Sequence, residues 1–124
     1  MRLRRKRTLP VYVVEAMNGP LDGKRWWFEV SITIGRDETL VDAVLSADRA
    51  VSRRHASITC DQAGLTITDL GSSNGVIVDG HPIGATAGIE LGQPFCIGRT
   101  MLRVVDASDI VRSASSQHGA KAGQ

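Results

Sequence analysis

The 124-residue sequence has few cysteines, few aromatic residues and no long hydrophobic run. Its two cysteines, Cys60 and Cys96, each lie alone in an apolar segment, which favours buried reduced thiols over a disulfide framework or a metal site. Because no stretch of about 20 apolar residues occurs, no membrane span is expected. The basic start resembles that of a signal peptide, but the apolar residues after it stop at Glu15. We therefore expect no export by that route and a cytoplasmic location.

The sequence beyond its first few residues has a deficit of positive charge. The chain carries a net charge of +2, and five of its fifteen Lys and Arg residues lie in the first seven positions. These five are Arg2, Arg4, Arg5, Lys6 and Arg7. The rest of the chain has a net charge of −3, because +2 less the five charges of this segment leaves −3. A basic surface on the folded part must therefore be a local cluster. We call residues 1–9 the basic arm.

The apolar segments are short and are separated by turn residues, including many of the 13 glycines. No segment keeps a helical period for long, so the pattern predicts an all-β fold. The predicted strands cover residues 11–14, 25–30, 31–34, 43–45, 55–60, 65–69, 76–78, 95–97 and 101–105. About ten or eleven short strands in a chain of this length indicate a β-sandwich of two twisted, mainly antiparallel sheets.

Two local patterns predict details of this sandwich. Between residues 30 and 34, apolar and hydroxyl side chains alternate, which places Val30, Ile32 and Ile34 on one buried face. Residues 61–64 are predicted to close a hairpin. Asp79-Gly80 is a two-residue sequence typical of a hairpin turn.

Three polar segments interrupt the predicted strands. They are Gly35-Arg36, Ser52-Arg53-Arg54-His55, and residues 69–75, which include Ser72-Ser73-Asn74-Gly75. Loops that cluster at one end of a sandwich form a binding surface. Arginine supplies a planar fork of donors, and serine and asparagine add directed hydrogen bonds, so this set of side chains suits a phosphate dianion.

In that order, the three motifs resemble the signature of the forkhead-associated (FHA) domain, a β-sandwich family that binds phosphothreonine peptides. The resemblance covers about residues 11–105. Together with the composition, it predicts the basic arm at 1–9, an FHA-like domain at 10–106 and a flexible Ser/Ala/Gly-rich tail at 107–124. The partner that it implies is a phosphothreonine-containing protein, the substrate of a Ser/Thr kinase, in a signalling pathway.

The resemblance also implies roles for individual residues. Arg36 and Ser52 are expected to bind the phosphate, Arg53 and Ser73 to assist, and Asn74 to hold the peptide main chain. Structural support of the site is expected from Gly35, His55 and Gly75. Strand alternation directs the side chains of neighbouring residues to opposite faces, and we assign the phosphate contact to the first residue of the Arg53-Arg54 pair.

No pattern in the sequence predicts catalysis, a cofactor or a metal. Residues 71–75 fit the G-x-S-x-G pattern of hydrolase nucleophile elbows, but a strand is predicted after them where that fold requires a helix. No His or Cys cluster has the spacing of metal ligands. Ser52 and His55 lie three positions apart, which on a strand places them on opposite faces and disfavours a catalytic pair. We predict that the protein is not an enzyme.

Two other functions stay open. A degenerate FHA scaffold would bind unphosphorylated protein, although loss of Arg36 or Ser52 would have signalled it and both are present. The basic arm could bind nucleic acid or another anionic surface through its charge. With few aromatic residues, however, it lacks a stacking platform.

Thr8 follows Arg4-Arg5-Lys6-Arg7 and therefore resembles a site for a basophilic kinase. Phosphorylated Thr8 of one copy could enter the Arg36–Ser52–Asn74 pocket of another copy and cause self-association. Capture within one molecule is excluded if the chain ends lie away from the phosphate loops, as the resemblance implies. The alternative is a solvated basic segment that happens to contain a threonine.

Overall fold

The computed structural model describes residues 11–110, in which eleven strands form two sheets around one core. The six-stranded sheet has the order β2-β1-β11-β10-β7-β8 and contains β1 (Tyr12–Ala16), β2 (Arg25–Phe28), β7 (Val76–Val78), β8 (His81–Pro82), β10 (Phe95–Ile97) and β11 (Thr100–Asp106). The five-stranded sheet has the order β4-β3-β5-β6-β9 and contains β3 (Ser31–Gly35), β4 (Ala43–Val44), β5 (Ala56–Asp61), β6 (Gly64–Asp69) and β9 (Thr86–Ile89). The β3–β4 pair is parallel, and the other pairs in residues 11–110 are antiparallel. The predicted all-β sandwich is confirmed.

Nine strands lie where the sequence predicts them, with ends that differ by no more than two residues. The other two, β8 and β9, are missed. Both have weak local signals, since β8 has only two exposed residues and β9 contains a glycine and one buried side chain. They form because β7 and β6, respectively, present strand edges with which they pair. Asp79 (φ +52°) and Gly80 (φ +79°) form the predicted two-residue turn.

The core lies between the two sheets and is made of Val, Ile, Leu and Phe side chains. Ile32 and Ile34 are buried as predicted, but the prediction for Val30 is wrong, because 57% of its surface is exposed. Strand β3 begins only at residue 31. Val30 lies in the connection between the sheets, where its carbonyl accepts a hydrogen bond from the Cys60 amide at 2.8 Å. The alternation of a single strand therefore does not extend to it.

An ion-paired glutamate joins three strands on the outer face of the six-stranded sheet. Glu15 of β1 lies directly opposite Arg25 of β2 and Arg103 of β11. One carboxylate oxygen accepts from Arg25 Nε at 3.0 Å, and the other accepts from Arg103 Nε at 2.9 Å. Burial raises the pKa of Glu15, but the hydrogen bonds from both arginines outweigh it and hold the pKa below its ordinary value.

The strand directions bring the three polar motifs to one end of the sandwich. We call the end formed by residues 36–55 and 70–75 the loop end. The opposite end, formed by Tyr12, residues 61–64, residues 79–80 and Asp106, is the far end. Tyr12 pairs with Asp106, so the first and last strands meet at the far end.

A tyrosine and a cysteine meet between the sheets at the far end. Cys60 Sγ lies 3.4 Å from the hydroxyl of Tyr12. This hydrogen bond, with burial, raises the pKa of Tyr12 to about 12. Both Cys60 and Cys96 are free thiols, but they are half-buried rather than buried as predicted.

The described chain also starts at the far end. The carbonyl of Val11 accepts a hydrogen bond from the amide of Ala107 at 2.9 Å, and residues 107–110 are helical. Thr8, the rest of the basic arm and residues 111–124 lie outside the described residues. The three-residue step from Thr8 to Val11 reaches about 10 Å, whereas the seven residues of β11 span roughly 20 Å. Thr8 therefore cannot reach the loop end of its own molecule. No helix within residues 11–110 has the length and apolar character needed to cross a membrane.

Candidate functional site

A glycine brings two of the polar motifs together at the loop end. Gly35 ends β3, and a Cβ atom at this position would overlap the carbonyl oxygen of Arg53. The next amide, that of Arg36, donates to the carbonyls of Ser52 at 3.0 Å and Arg53 at 3.2 Å. The absence of a side chain at residue 35 thus allows the two loops to share backbone hydrogen bonds.

The side chain of Arg36 is oriented by the neighbouring loop. Its Nε donates to the carbonyl of Val51 at 2.9 Å, which fixes the guanidinium plane while the residue stays exposed. The two terminal nitrogens make no hydrogen bond or ion pair within residues 11–110. The residues that line an open pocket of about 460 Å³ here are Arg36, Leu40, Ser52, Arg53, Arg54 and Ser73.

Ser52 links two loops and keeps a free donor. Its hydroxyl oxygen accepts from the amide of Ser73 at 3.0 Å, which leaves the hydroxyl hydrogen available. Its own amide donates to Nδ1 of His55 at 3.0 Å. The histidine ring therefore contacts the backbone of Ser52, and not the hydroxyl as in a Ser–His catalytic pair. Residues 51–55 form a loop, so the strand argument against that pair does not apply, although its conclusion agrees with the contacts.

His55 is completely buried, and all its polar atoms have partners. Because Nδ1 accepts the Ser52 amide, Nε2 carries the hydrogen and donates to the carbonyl of Gly75 at 2.7 Å. The main-chain amide donates to Ile34 at 2.9 Å, and the carbonyl accepts from Leu70 at 2.9 Å. One residue thus connects β3 with both loops. These contacts support the predicted bracing role, which a variant can test.

Asn74 lies on the third loop and is oriented by the second. Its Nδ2 donates to the carbonyl of Ala50 at 2.8 Å, and within residues 11–110 its Oδ1 makes no hydrogen bond. The turn that presents it needs Gly75, whose φ is +78°. The amide of Gly75 donates to Ser72 Oγ at 2.9 Å and closes this turn.

Strand alternation was used to assign the phosphate contact to Arg53 rather than Arg54, and this use of the rule is wrong. Strand β5 begins only after residue 55, so the two arginines lie in a loop, where strand alternation does not apply. Both are exposed, and both line the pocket with Ser52 and Ser73. All eight predicted site residues therefore lie at the loop end, and Arg54 lies beside them.

A buried aspartate that the sequence reasoning missed anchors the second loop. Asp48 accepts hydrogen bonds from the amides of Ala50 (3.0 Å) and Arg99 (2.8 Å) and from Thr100 Oγ1 (2.7 Å). Burial raises its pKa, but these hydrogen bonds outweigh the burial and hold the pKa below its ordinary value. The local bond to Ala50 is an Asx turn that the sequence could have suggested. The partners 51 and 52 residues away gave no local signal.

Asp37 lies beside the site, and its carboxylate is hydrogen-bonded within its own turn. The carboxylate of Asp37 accepts from the amide of Thr39 at 2.8 Å and from its hydroxyl at 2.7 Å. These bonds, with the charges of Arg53 and Arg36, hold the pKa of Asp37 below its ordinary value. The carboxylate of Asp37 interacts with both arginines through its charge, but within residues 11–110 it forms no direct ion pair with Arg36.

The loop end therefore presents an oriented guanidinium, a hydroxyl donor and, within residues 11–110, an amide oxygen without a partner. Such a set recognises an anion attached to an extended chain. Within residues 11–110, no three His, Cys, Asp or Glu side chains lie close enough to hold a metal ion. The fold and the site together define a β-sandwich whose loops suit an anionic peptide.

Comparison with known proteins identifies the family. The sequence model of the FHA domain matches residues 32–98, which is more than half of the chain and includes all three motifs. The protein belongs to the FHA-domain family. No curated protein matches the chain in sequence.

Several solved structures are similar to this one. The FHA domain of the CT664 protein from Chlamydia trachomatis is 30% identical, with a TM-score of 0.72 over 77% of this chain and 97% of that chain. An FHA domain from a structural and functional analysis of phosphothreonine-dependent interactions is 27% identical, with a TM-score of 0.66 over 77% and 95% of the two chains. EmbR of Mycobacterium tuberculosis, in complex with a low-affinity phosphopeptide, is 28% identical, with a TM-score of 0.65 over 77% of this chain and 24% of that longer one.

Proposed function

We propose that the protein is an interaction module that binds phosphothreonine peptides at the loop end, in Ser/Thr-kinase signalling. The observation that carries this proposal is the state of Arg36. Its Nε is held by Val51, and its terminal nitrogens are without a protein partner in residues 11–110, beside the free hydroxyl hydrogen of Ser52. An oriented guanidinium with free terminal nitrogens, next to a free hydroxyl donor, binds a tetrahedral dianion in preference to a neutral side chain.

The remaining contacts of the phosphate would come from the second and third loops. The guanidinium of Arg53 and the hydroxyl of Ser73 line the same pocket. Arg54 lines it as well and adds positive charge. Three or four charge-assisted hydrogen bonds of about 1.5–3 kcal/mol each, less the cost of ordering the peptide, suggest an affinity near the micromolar range.

Asn74 would hold the peptide main chain. Because Nδ2 is bound to Ala50, Oδ1 is the atom left to accept a peptide N–H beside the phosphothreonine. His55 would contribute without touching the ligand, since it is buried and fully bonded. EmbR of Mycobacterium tuberculosis has been solved in complex with a phosphopeptide, and another similar FHA domain comes from work on phosphothreonine-dependent interactions, which supports this assignment.

Isothermal titration calorimetry with a phosphothreonine peptide library and the unphosphorylated twin of each peptide tests the proposal. We expect binding only of the phosphorylated forms. In the Arg36→Ala variant the binding free energy should weaken by about 2–5 kcal/mol, because a charge-assisted contact to a desolvated phosphate is lost. Lys24→Ala is the matched control, since it removes one exposed positive charge at the same end. Equal binding of the two twins would favour the degenerate scaffold instead.

The basic arm supplies the test of the nucleic-acid alternative. A variant with neutral residues in place of Arg4, Arg5, Lys6 and Arg7 should lose any binding to nucleic acid and keep phosphopeptide binding, because the loop end is far from Val11. Loss of phosphopeptide binding in this variant would contradict the assignment to the loop end.

Self-association through phosphorylated Thr8 should disappear in Arg36→Ala, as measured by light scattering. We also propose a cytoplasmic location, because free thiols fit a reducing compartment.

A further inference from the structure

The far end of the sandwich is acidic. Carboxylates lie at or next to its strand ends, at Glu29, Asp61, Asp79, Glu90, Asp106 and Asp109. No Lys or Arg within residues 11–110 lies there. The described basic residues lie at the loop end or along the sheet towards it: Lys24, Arg25, Arg36, Arg49, Arg53, Arg54, Arg99 and Arg103. The positive side chains of residues 11–110 are thus separated from this end of the fold.

An open groove of about 970 Å³ crosses the far end. The buried side chains of Leu65 and Ile89 contribute to its lining, with Tyr12 at one side. Leu91 also lines it and leaves 51% of its surface exposed. An exposed leucine thus lies in the same groove as these buried apolar residues, and a segment docked in the groove would cover it.

Two carboxylates line this groove. Asp79 is exposed and accepts one hydrogen bond, from Gln93 Nε2 at 3.1 Å. Glu90 is exposed, and within residues 11–110 its carboxylate makes no hydrogen bond or ion pair. The groove therefore offers negative charge that the described fold does not neutralise.

We propose that the basic arm of the same chain docks in this groove. The arm joins the fold at Val11, immediately before Tyr12 of the groove lining. Arg7 lies four residues before Val11, so the tether reaches about 13 Å. The composition of the arm also matches the groove, because Leu3 and Leu9 flank four of its five positive charges.

Because the tether is short, weak contacts are sufficient to dock the basic arm in the groove. An exposed ion pair contributes little by itself, but a segment joined directly to its site has an effective concentration in the millimolar range. Docking would cover Leu91 and would place the charges of the arm against Asp79 and Glu90. A phosphate on Thr8 would bring negative charge to the same carboxylates, so phosphorylation would release the arm.

Limited trypsin digestion of the full chain at low ionic strength tests the proposal, with the rate of cleavage after Arg7 followed by mass spectrometry. The Asp79→Asn/Glu90→Gln variant should be cleaved about three- to tenfold faster than the unmodified chain, because two weak ion pairs are lost. Asparagine tolerates the positive φ at residue 79. The control Asp22→Asn/Glu38→Gln changes the net charge equally at the loop end and should leave the rate within twofold. In 0.5 M salt the difference should vanish.

Equal cleavage rates for the groove variant and its control would overturn the proposal. A second measurement does not depend on cleavage: neutralising Arg4, Arg5, Lys6 and Arg7 should shift the NMR amide signals of the groove and leave those of the loop end unchanged. Shifts spread over the whole domain would contradict docking. Groove shifts that grow with protein concentration would assign the contact to the arm of a second copy and would overturn docking within one molecule.

Discussion

The replacement of His55 by alanine separates the support of the loop end from the binding of its ligand. The imidazole accepts the amide of Ser52 and donates to the carbonyl of Gly75, and no part of the residue is exposed. In the variant, the amide of Ser52 and the carbonyl of Gly75 both lose their partner in a part-buried site. Each such loss costs about 1–3 kcal/mol. With the void left by the ring, the free energy of unfolding should fall by about 3–5 kcal/mol.

A loss of this size is large for a domain of about 100 residues. Such domains are stable by about 5–15 kcal/mol, and each kcal/mol corresponds to roughly 4–8 °C in Tm. We therefore expect the Tm of His55→Ala to fall by at least about 12 °C. Binding of a phosphothreonine peptide should weaken only as far as the two loops lose their order.

Urea unfolding and thermal melting measure this effect. The matched control is His81→Ala, because His81 is exposed on β8 and its ring contacts the carbonyl of Asp79 on the same hairpin. The control should stay within about 0.5 kcal/mol of the unmodified chain. Equal midpoints for the two histidine variants would refute the bracing role. Lost binding with an unchanged Tm would instead assign His55 to the ligand.

Three further results are expected. Gly35→Ala should lower both stability and phosphopeptide affinity, because its Cβ would overlap the Arg53 carbonyl and separate the two loops; Gly84→Ala, which has open space around its Cα, is the control. Glu15 and Asp48 have pKa values below their ordinary range, so they stabilise the fold above the unfolded-state pKa near 4, and this contribution is lost as pH falls through their folded-state values. Acid titration of the unfolding free energy should show a shallower loss in Glu15→Gln, and an unchanged slope would contradict the ion-pair argument. Phosphothreonine should bind about 10–200-fold more tightly than phosphoserine if the γ-methyl enters a fitted pocket, and equal affinities in calorimetry would show that no such pocket exists.

The strands and the site motifs could be predicted because their signals are local. The alternation of Ile32 and Ile34 with hydroxyl residues reflects the two faces of one strand. The turn at Asp79-Gly80 depends on the φ values that two adjacent residues can adopt. The three polar motifs were visible in order, so the resemblance to FHA domains needed no coordinates.

The same local reasoning failed where the backbone changes direction. Val30 continues the alternation in sequence, yet the chain passes there from one sheet to the other, and the side chain points to solvent. Arg53 and Arg54 were separated by a strand rule that their loop does not obey. Strand β9 has little β propensity of its own and forms through its pairing with β6.

The sequence by itself determined the fold class and the three polar motifs that lie at the loop end, because side-chain periodicity and turn chemistry depend on neighbours in the chain. Only the tertiary structure decided which distant groups meet. Asp48 reaches Thr100 across 52 positions, and Glu15 lies between arginines of two different strands. The acidic groove likewise combines Tyr12 with Asp79 and Glu90. Such contacts depend on sheet order and register, which are set by the packing of the whole core. No pattern within a single segment of the sequence therefore predicts them.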